Sequence, residues 1–173
     1  MTSDSDEYGY NYSEKSPESF CQSLGLRLRP AILDDAETIK GLNRIAFEPY
    51  ISQIGGTPRT MLADYHQVIE QDHVWVVEEP GSLIAVLVLS LQDDHYHIDN
   101  IAVHPEWRRR GLGKALLHHA EIQSRRANHG EIWLHTNEIM VSNIRLYTAI
   151  GYEEIYRRTY HVTDSIYMRK RLR

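Results

Sequence analysis

The stretch "NIAVHPEWRRRGLGKALL", residues 100–117, crowds Arg108, Arg109 and Arg110 against Gly111 and Gly113, between an apolar run and an amphipathic one. Positive charge beside glycine suits an anion, because a ligand can then approach the backbone without meeting a Cβ. Spacing excludes two common versions of such a site. A dinucleotide fingerprint needs G-x-G-x-x-G, and Leu116 stands where its third glycine should be. A loop of the form G-x-x-x-x-G-K-[ST] fails at both ends, with Arg108 at the first glycine and Ala115 at the hydroxyl. A nucleic-acid surface needs bases and aromatics over a wider area, and Trp107 has no such company. What remains is a strand ending at Val103, a short loop and a helix starting near Gly111. The first turn of a helix offers unpaired N–H groups and a positive dipole end, a seat for a phosphate or pyrophosphate. The three arginines would add charge at its rim. A solvated basic loop is the bland alternative.

Other residue types able to move a proton lie close by. By period-two alternation on the strand 95–103, His97, Asp99, Ile101 and Val103 share one face. His135 falls on the following strand. Ten histidines raise the question of a metal. His95 and His97 are two apart on a strand, and the adjacent His118 and His119 point to different faces of a helix. No H-E-x-x-H and no Cys/His zinc spacing is present, so no metal site is expected.

These residues need elements to hold them, and the chain supplies a regular succession. "LRLRPAI" (26–32) reads as a strand, and a helix follows in which Ile39, Leu42, Ile45 and Ala46 recur at helical spacing. After Gly55-Gly56, Thr57-Pro58 begins a second helix through Met61, Leu62, Tyr65 and Val68. "HVWVVEE" (73–79) and "SLIAVLVLSL" (82–91) form a hairpin around Pro80-Gly81, and "HYHIDNIAV" (95–103) is the next strand. A helix from Gly111 to about Asn128, a strand "EIWLHT" (131–136), a helix near Ser142–Ile150 and strands Tyr152–Tyr160 and Ile166–Leu172 complete the order. The result is a single-domain α/β (α+β) fold with about seven strands and about four helices.

Composition agrees with one folded domain. The chain has 173 residues, 42% hydrophobic and 25% charged, with a net charge of −5. Residues 1–24 carry Asp4, Asp6, Glu7, Glu14 and Glu18 against Lys15, which leaves the rest near −1. That balance excludes general nucleic-acid binding. Residues 1–24 lack hydrophobic periodicity and read as a disordered acidic tail, with the domain over 25–173. The longest apolar run, 82–91, is too short to span a bilayer. A polar, acidic start and a single cysteine, Cys21, lead to the expectation of a cytoplasmic protein with no membrane partner.

R-x-x-G-x-G after a strand ending "IAVHP" resembles the acetyl-CoA-binding motif of the GNAT superfamily of N-acetyltransferases. The later stretch "LHTNEIMVSNIRLYTAIGYEE" resembles that family's N-x-x-x-x-Y-x-x-x-G-[FY], with Asn143, Tyr147, Gly151 and Tyr152 in place. The resemblance covers about residues 26–172 and includes the element order. It implies a mixed, mostly antiparallel sheet splayed between the strands at 95–103 and 131–136. It also implies acetyl-CoA as cosubstrate and direct transfer of its acetyl group to a primary amine, within a ternary complex.

Residue by residue, the resemblance assigns Ile101, Ala102 and Val103 to the pantetheine arm. The backbone from Arg109 through Arg110, Gly111, Leu112 and Gly113 to Lys114 falls to the pyrophosphate, with Arg108 opening the motif. Asn143 falls near the pantetheine, although a helix cap, which Ser142 could equally supply, is the alternative. Tyr147 falls where the family places an acid for the departing thiolate, and a packed aromatic is the other reading. Asp99 or His97 would relay the amine's proton, with His135 a further candidate. Tyr50, Arg59 and Tyr65, with the turn residues Asp93 and Asp94, fall around the acceptor, a small molecule or a peptide that the sequence does not name. A non-catalytic CoA-binding sensor of the same fold is the competing class. A homodimer through the last strands is compatible with the sequence, which does not itself show one.

Overall fold

A computed structural model describes residues 10–12, 14–160 and 162–172. Strands β1 (Arg27–Pro30), β2 (His73–Glu79), β3 (Ser82–Leu91), β4 (Tyr96–Val103), β5 (Glu131–Asn137), β6 (Glu153–Tyr160) and β7 (Thr163–Arg171) form one sheet. Its order is β1-β2-β3-β4-β5-β7-β6. Every neighbouring pair is antiparallel except β4 and β5. The seven helices among the described residues are α1 (Pro17–Ser23), α2 (Ala36–Phe47), α3 (Ile51–Ile54), α4 (Arg59–Leu62), α5 (Tyr65–Gln71), α6 (Leu112–Arg126) and α7 (Val141–Ala149). None is long and apolar enough to cross a membrane.

Burial explains the layering. From Leu83 to Leu89 every residue of β3 is buried, so this strand is covered on both faces. On one face α2 and α5 seal a cluster through Ile39, Leu42, Ala46 and Tyr65 against Val76, Val86, Val88 and Ala102. On the other, α6 packs Leu112, Ala115, Leu116 and Ala120 against Leu87, Leu89, Ile98 and Leu134, and Tyr147 and Ile150 of α7 lean on the same cluster. Ile45, expected to face inward, is 47% exposed, because the inward stripe of α2 runs through Asn43 instead.

Two expectations need correction. The helix expected from Thr57 through Val68 is two short helices, because the Asp64 side chain accepts from the N–H groups of His66 and Gln67 and starts α5 afresh. The disordered acidic tail expected over residues 1–24 does not hold for the described residues from Tyr10 onward. Residues 1–9 and 13 lie outside the described residues, but Tyr10, Tyr12 and α1 are folded onto α6. Ser16 caps α1 by accepting from Ser19 N–H at 3.1 Å, with Pro17 at the first helical position. Tyr10, Phe20 and Cys21 enter the core. Three buried side chains scattered among acids and serines leave no periodic signal, which is why composition hid them.

This N-terminal arm is held by buried polar contacts as well. The Tyr10 hydroxyl donates to Lys15 O at 2.7 Å and lies 2.7 Å from His118 Nδ1, so it accepts there and the His118 proton sits on Nδ1. Glu18 lies 3.3 Å from His119 Nδ1. Burial drives the His118 pKa down to about 4 and lowers that of His119. Unfolded histidines protonate near pH 6.5, so between about 6.5 and 4 the unfolded chain binds the extra proton and stability falls as pH drops. Glu121, whose carboxyl is raised by burial, acts in the opposite sense. The expected outcome is a larger loss of urea midpoint between pH 6.5 and 4.5 in the wild-type chain than in His118→Gln. Equal slopes in the two would refute the role of this histidine.

Candidate functional site

The parallel pairing of β4 with β5 covers only Tyr96↔Ile132, His97↔Trp133 and Ile98↔Leu134. Beyond Ile98 the strands part, as the expected splay requires. A β-bulge sits at that point: Leu89 opposes Ile98 while its neighbour Val88 opposes Asn100, so Asp99 is an extra residue in β4. The bulge reverses the alternation. Tyr96 and Ile98 belong to the α6 side, as do Ile101 and Val103 beyond it, whereas Ala102 packs on the α2 side. The expectation that His97, Asp99, Ile101 and Val103 share one face is therefore wrong, and the inserted residue is the reason.

Beyond the bulge, hydrogen bonding decides which backbone groups are free. His104 N–H donates to Ile84 O at 2.8 Å, and Val103 opposes Ala85. Antiparallel alternation then turns the N–H and C=O of Ile101 and Val103 away from β3 and into the opening, while those of Ala102 face β3. The opening is a cleft with about 1020 Å³ of empty space, its solvent mouth included. Its walls include Ile101, Val103, Gly111, Gly113, Lys114, Asn143 and Tyr147.

The loop after β4 behaves as its sequence suggests, with one exception. Gly111 caps α6 at φ +88°, a left-handed conformation that glycine adopts freely. The first intrahelical bond is Ala115 N–H to Gly111 O, so the amides ahead of it have no acceptor within the helix. A Cβ built on Gly113 would meet no protein atom within 4 Å; the space over this turn is open to a ligand. Lys114 is buried there, and desolvation lowers its pKa. Arg109 is exposed at φ +61°, and Arg110 stacks its guanidinium over Trp107 at 4.6 Å.

Arg108 is the exception. Its side chain turns inward rather than to the rim. Nη2 donates to Ala46 O at 2.8 Å and Nε to Val103 O at 3.3 Å. Ala46 lies in the last turn of α2, where carbonyls lack helical partners, so Arg108 ties α2, the free end of β4 and the loop together. Its place just before the glycines gave no sign of this.

On α7, Asn143 and Tyr147 are four residues apart and share a helix face. The helix cap is Met140, so neither Asn143 nor Ser142 caps it, and among the described residues the Asn143 amide reaches only the Met140 sulfur at 3.6 Å. Tyr147 packs its ring 6.1 Å from that of Tyr152, and its hydroxyl makes no hydrogen bond among the described residues. Burial pushes its pKa up to about 12.

The proton-handling candidates gather across the splay. His97 Nε2 lies 2.9 Å from His135 Nδ1, and Asp99 is 4.0 Å from His97. Burial drives the His97 pKa down to about 3 and lowers His135, so both imidazoles are neutral at pH 7. Burial also raises Asp99, against an opposing hydrogen bond from Ser90. Arg59 is exposed and its charge acts on both Asp99 and His135. Two acceptor candidates stand elsewhere. Tyr50 lines the cleft beside the α6 turn. Tyr65 is 3% exposed, and its hydroxyl donates to Thr60 O at 2.7 Å while accepting from Asn100 at 3.2 Å; it is a core anchor and no pocket wall.

A parallel pair opened beside a helix N-terminus defines the class. The chain belongs to the acetyltransferase (GNAT) family, whose sequence profile matches residues 39–152. It is 33% identical over 86 residues to the [ribosomal protein bS18]-alanine N-acetyltransferase of Escherichia coli K12, a match covering 49% of this chain and 58% of that protein. Its fold is similar to that of the ribosomal-protein-S18-alanine N-acetyltransferase from E. coli, with a TM-score of 0.67 and 20% identity over 85% of this chain and 94% of that one. The PaiA N-acetyltransferase from Thermoplasma acidophilum, solved in complex with coenzyme A, gives a TM-score of 0.68 at 15% identity, covering 84% and 98%.

Arg108→Ala is expected to lower stability by about 1.5–3 kcal/mol, the range for hydrogen bonds from a charged donor. Arg109→Gly, at positive φ, leaves stability unchanged or raises it by up to about 1 kcal/mol. Urea unfolding of the two variants checks both; equal losses would show that Arg108 is no tether.

Proposed function

We propose that the protein transfers the acetyl group of acetyl-CoA to a primary amine by direct attack in a ternary complex. The observation that carries this reading is the cleft where β4 leaves β5, lined at once by the first turn of α6 and by Tyr147. Its groups fit the cosubstrate. The outward N–H and C=O of Ile101 and the N–H of Val103 suit an amide-bearing pantetheine arm added like a strand. The backbone from Arg109 to Lys114 suits the pyrophosphate, with open space above Gly113. Asn143 faces the same cleft, and among the described residues its amide meets only the Met140 sulfur.

Bound acetyl-CoA would supply an activated acyl carbon, so no nucleophilic side chain is needed. The Val103 N–H is placed to receive developing negative charge on the acyl oxygen. Tyr147 keeps its proton at neutral pH and can give it to the departing thiolate. On the other side of β4, the neutral His97–His135 pair and Asp99 can take the proton that an alkyl ammonium must lose, its pKa being roughly 10.4. The E. coli relative is named for an alanine of ribosomal protein bS18, so a protein N-terminus joins small amines as an acceptor class.

Tyr147→Phe is expected to lower kcat by about 10²–10⁴-fold while leaving the affinity for CoA within about threefold. Stopped turnover with intact binding supports an acid role; unchanged turnover would contradict it. In thermal-shift titration, acetyl-CoA and CoA at about 100 times Kd should each raise Tm by roughly 5–10 °C, and ATP should not. No shift with either CoA species would overturn both the transferase and a non-catalytic CoA sensor.

A further inference from the structure

A row of rings leads from the edge of the sheet to the histidine pair. Tyr156 on β6 stacks on Tyr167 of β7 at 4.4 Å and 14°. Tyr167 stacks on His135 at 5.4 Å, and His135 lies 5.2 Å from His97. Arg158 lies over this row, its Cζ 5.5 Å from the Tyr156 ring and 5.8 Å from the Tyr167 ring. Tyr167, Arg158 and, at longer range, the charge of Arg59 all act on the Tyr160 hydroxyl and lower its pKa. Arg59 comes from the other side. A Cβ on Gly55, four residues earlier, would fall 2.7 Å from Val162, so the α3–α4 connection sits against the tip of the β6–β7 hairpin.

The carboxylates nearby are already engaged. Glu154 and Glu138 pair with Arg157, Glu131 pairs with Arg169, and Asp164 accepts from Thr159 at 2.7 Å. Among the described residues Arg59 and Arg158 form no ion pair; the one acid that the charge of Arg59 reaches is Asp99, whose pKa burial raises towards the neutral form. Two guanidiniums acting on one hydroxyl, beside neutral imidazoles, leave an excess of positive charge that an anion would relieve and a second ammonium would aggravate. A guanidinium stacked on aromatic rings is also pre-oriented to present its fork to a carboxylate. The acids Glu131, Glu153 and Glu154 on these strands, and Glu138 in the turn after β5, interleave with the arginines, which counts against a polyanion such as RNA.

We propose that the acceptor carries a carboxylate close to its reacting amine, and that Arg59 and Arg158 receive it beside the His97–His135 pair. The inference rests on the acetyl-transfer reading above. The carboxylate is either an acidic side chain beside a peptide N-terminus or the acceptor's own α-carboxylate. The Tyr156–Tyr167 stack forms the wall along which it enters.

The test measures thiol release from acetyl-CoA with C-terminally amidated peptides beginning Ala-Glu, Ala-Gln or Ala-Lys, and with alanine against alaninamide. The expected result is kcat/KM about tenfold or more in favour of Ala-Glu over Ala-Gln, with Ala-Lys slowest. A preference for alanine over alaninamide instead would assign the α-carboxylate as the source. Arg59→Gln and Arg158→Gln should each shrink the preference at least about threefold, and Arg158→Glu should move it toward Ala-Lys, with CoA affinity unchanged. Transfer to amines with no preference for a carboxylate in either series, or with Ala-Lys favoured, overturns this inference and leaves the transferase reading standing. CoA binding without transfer to any of the amines overturns the transferase reading and the inference with it.

Discussion

Everything at the candidate site depends on one constraint: β4 has to leave β5 after three paired residues without stranding its backbone. An unpaired N–H or C=O in a buried strand costs as much as a lost hydrogen bond, so parallel strands do not part without a reason. Here three devices make the parting tolerable. The bulge at Asp99 bends β4 where pairing stops. Asn100, next in the chain, is gripped by Asn43 of α2 at 2.8 Å and by the Tyr65 hydroxyl. Arg108 holds the carbonyl of Val103 at the far end. The groups still open, on Ile101 and Val103, are those that face the cleft.

The same bulge separates two kinds of chemistry. By reversing the alternation it leaves Ile101 and Val103 with the α6 layer, beside the helix terminus, and sends His97 across the opening to His135. On the proposed reading, the cosubstrate enters from the α6 side and the amine from the side of the histidines, and they meet where β4 is bare. A strand of regular alternation would have placed all four candidates on one face.

Much of this was legible in the chain. The loop between Val103 and Leu112 declared itself by glycine at a helix start, and the buried hairpin 73–91 by two apolar runs around Pro80-Gly81. Asn143 and Tyr147, which both line the cleft, were singled out by their resemblance to the family's later motif. What stayed hidden depends on contacts distant in sequence. Nothing near Asp99 signals a bulge, because the extra residue is defined only against β3. Arg108 looks like its two neighbours until Ala46, 62 residues away, offers a carbonyl. Tyr10, Phe20 and Cys21 were lost in an acidic composition, since a short arm that borrows α6 for its core needs no periodicity of its own. Asp64 split a helix that apolar spacing alone would continue.

On the proposed function, the free edge of β4 and the first turn of α6 receive one ligand together. Amide hydrogen exchange with and without CoA tests it most directly. If one ligand spans both, exchange slows at Ile101 and Val103 and across residues 109–114, while Ala102, already turned to β3, is unchanged. Protection at the helix turn alone, with Ile101 and Val103 exchanging as before, would contradict it.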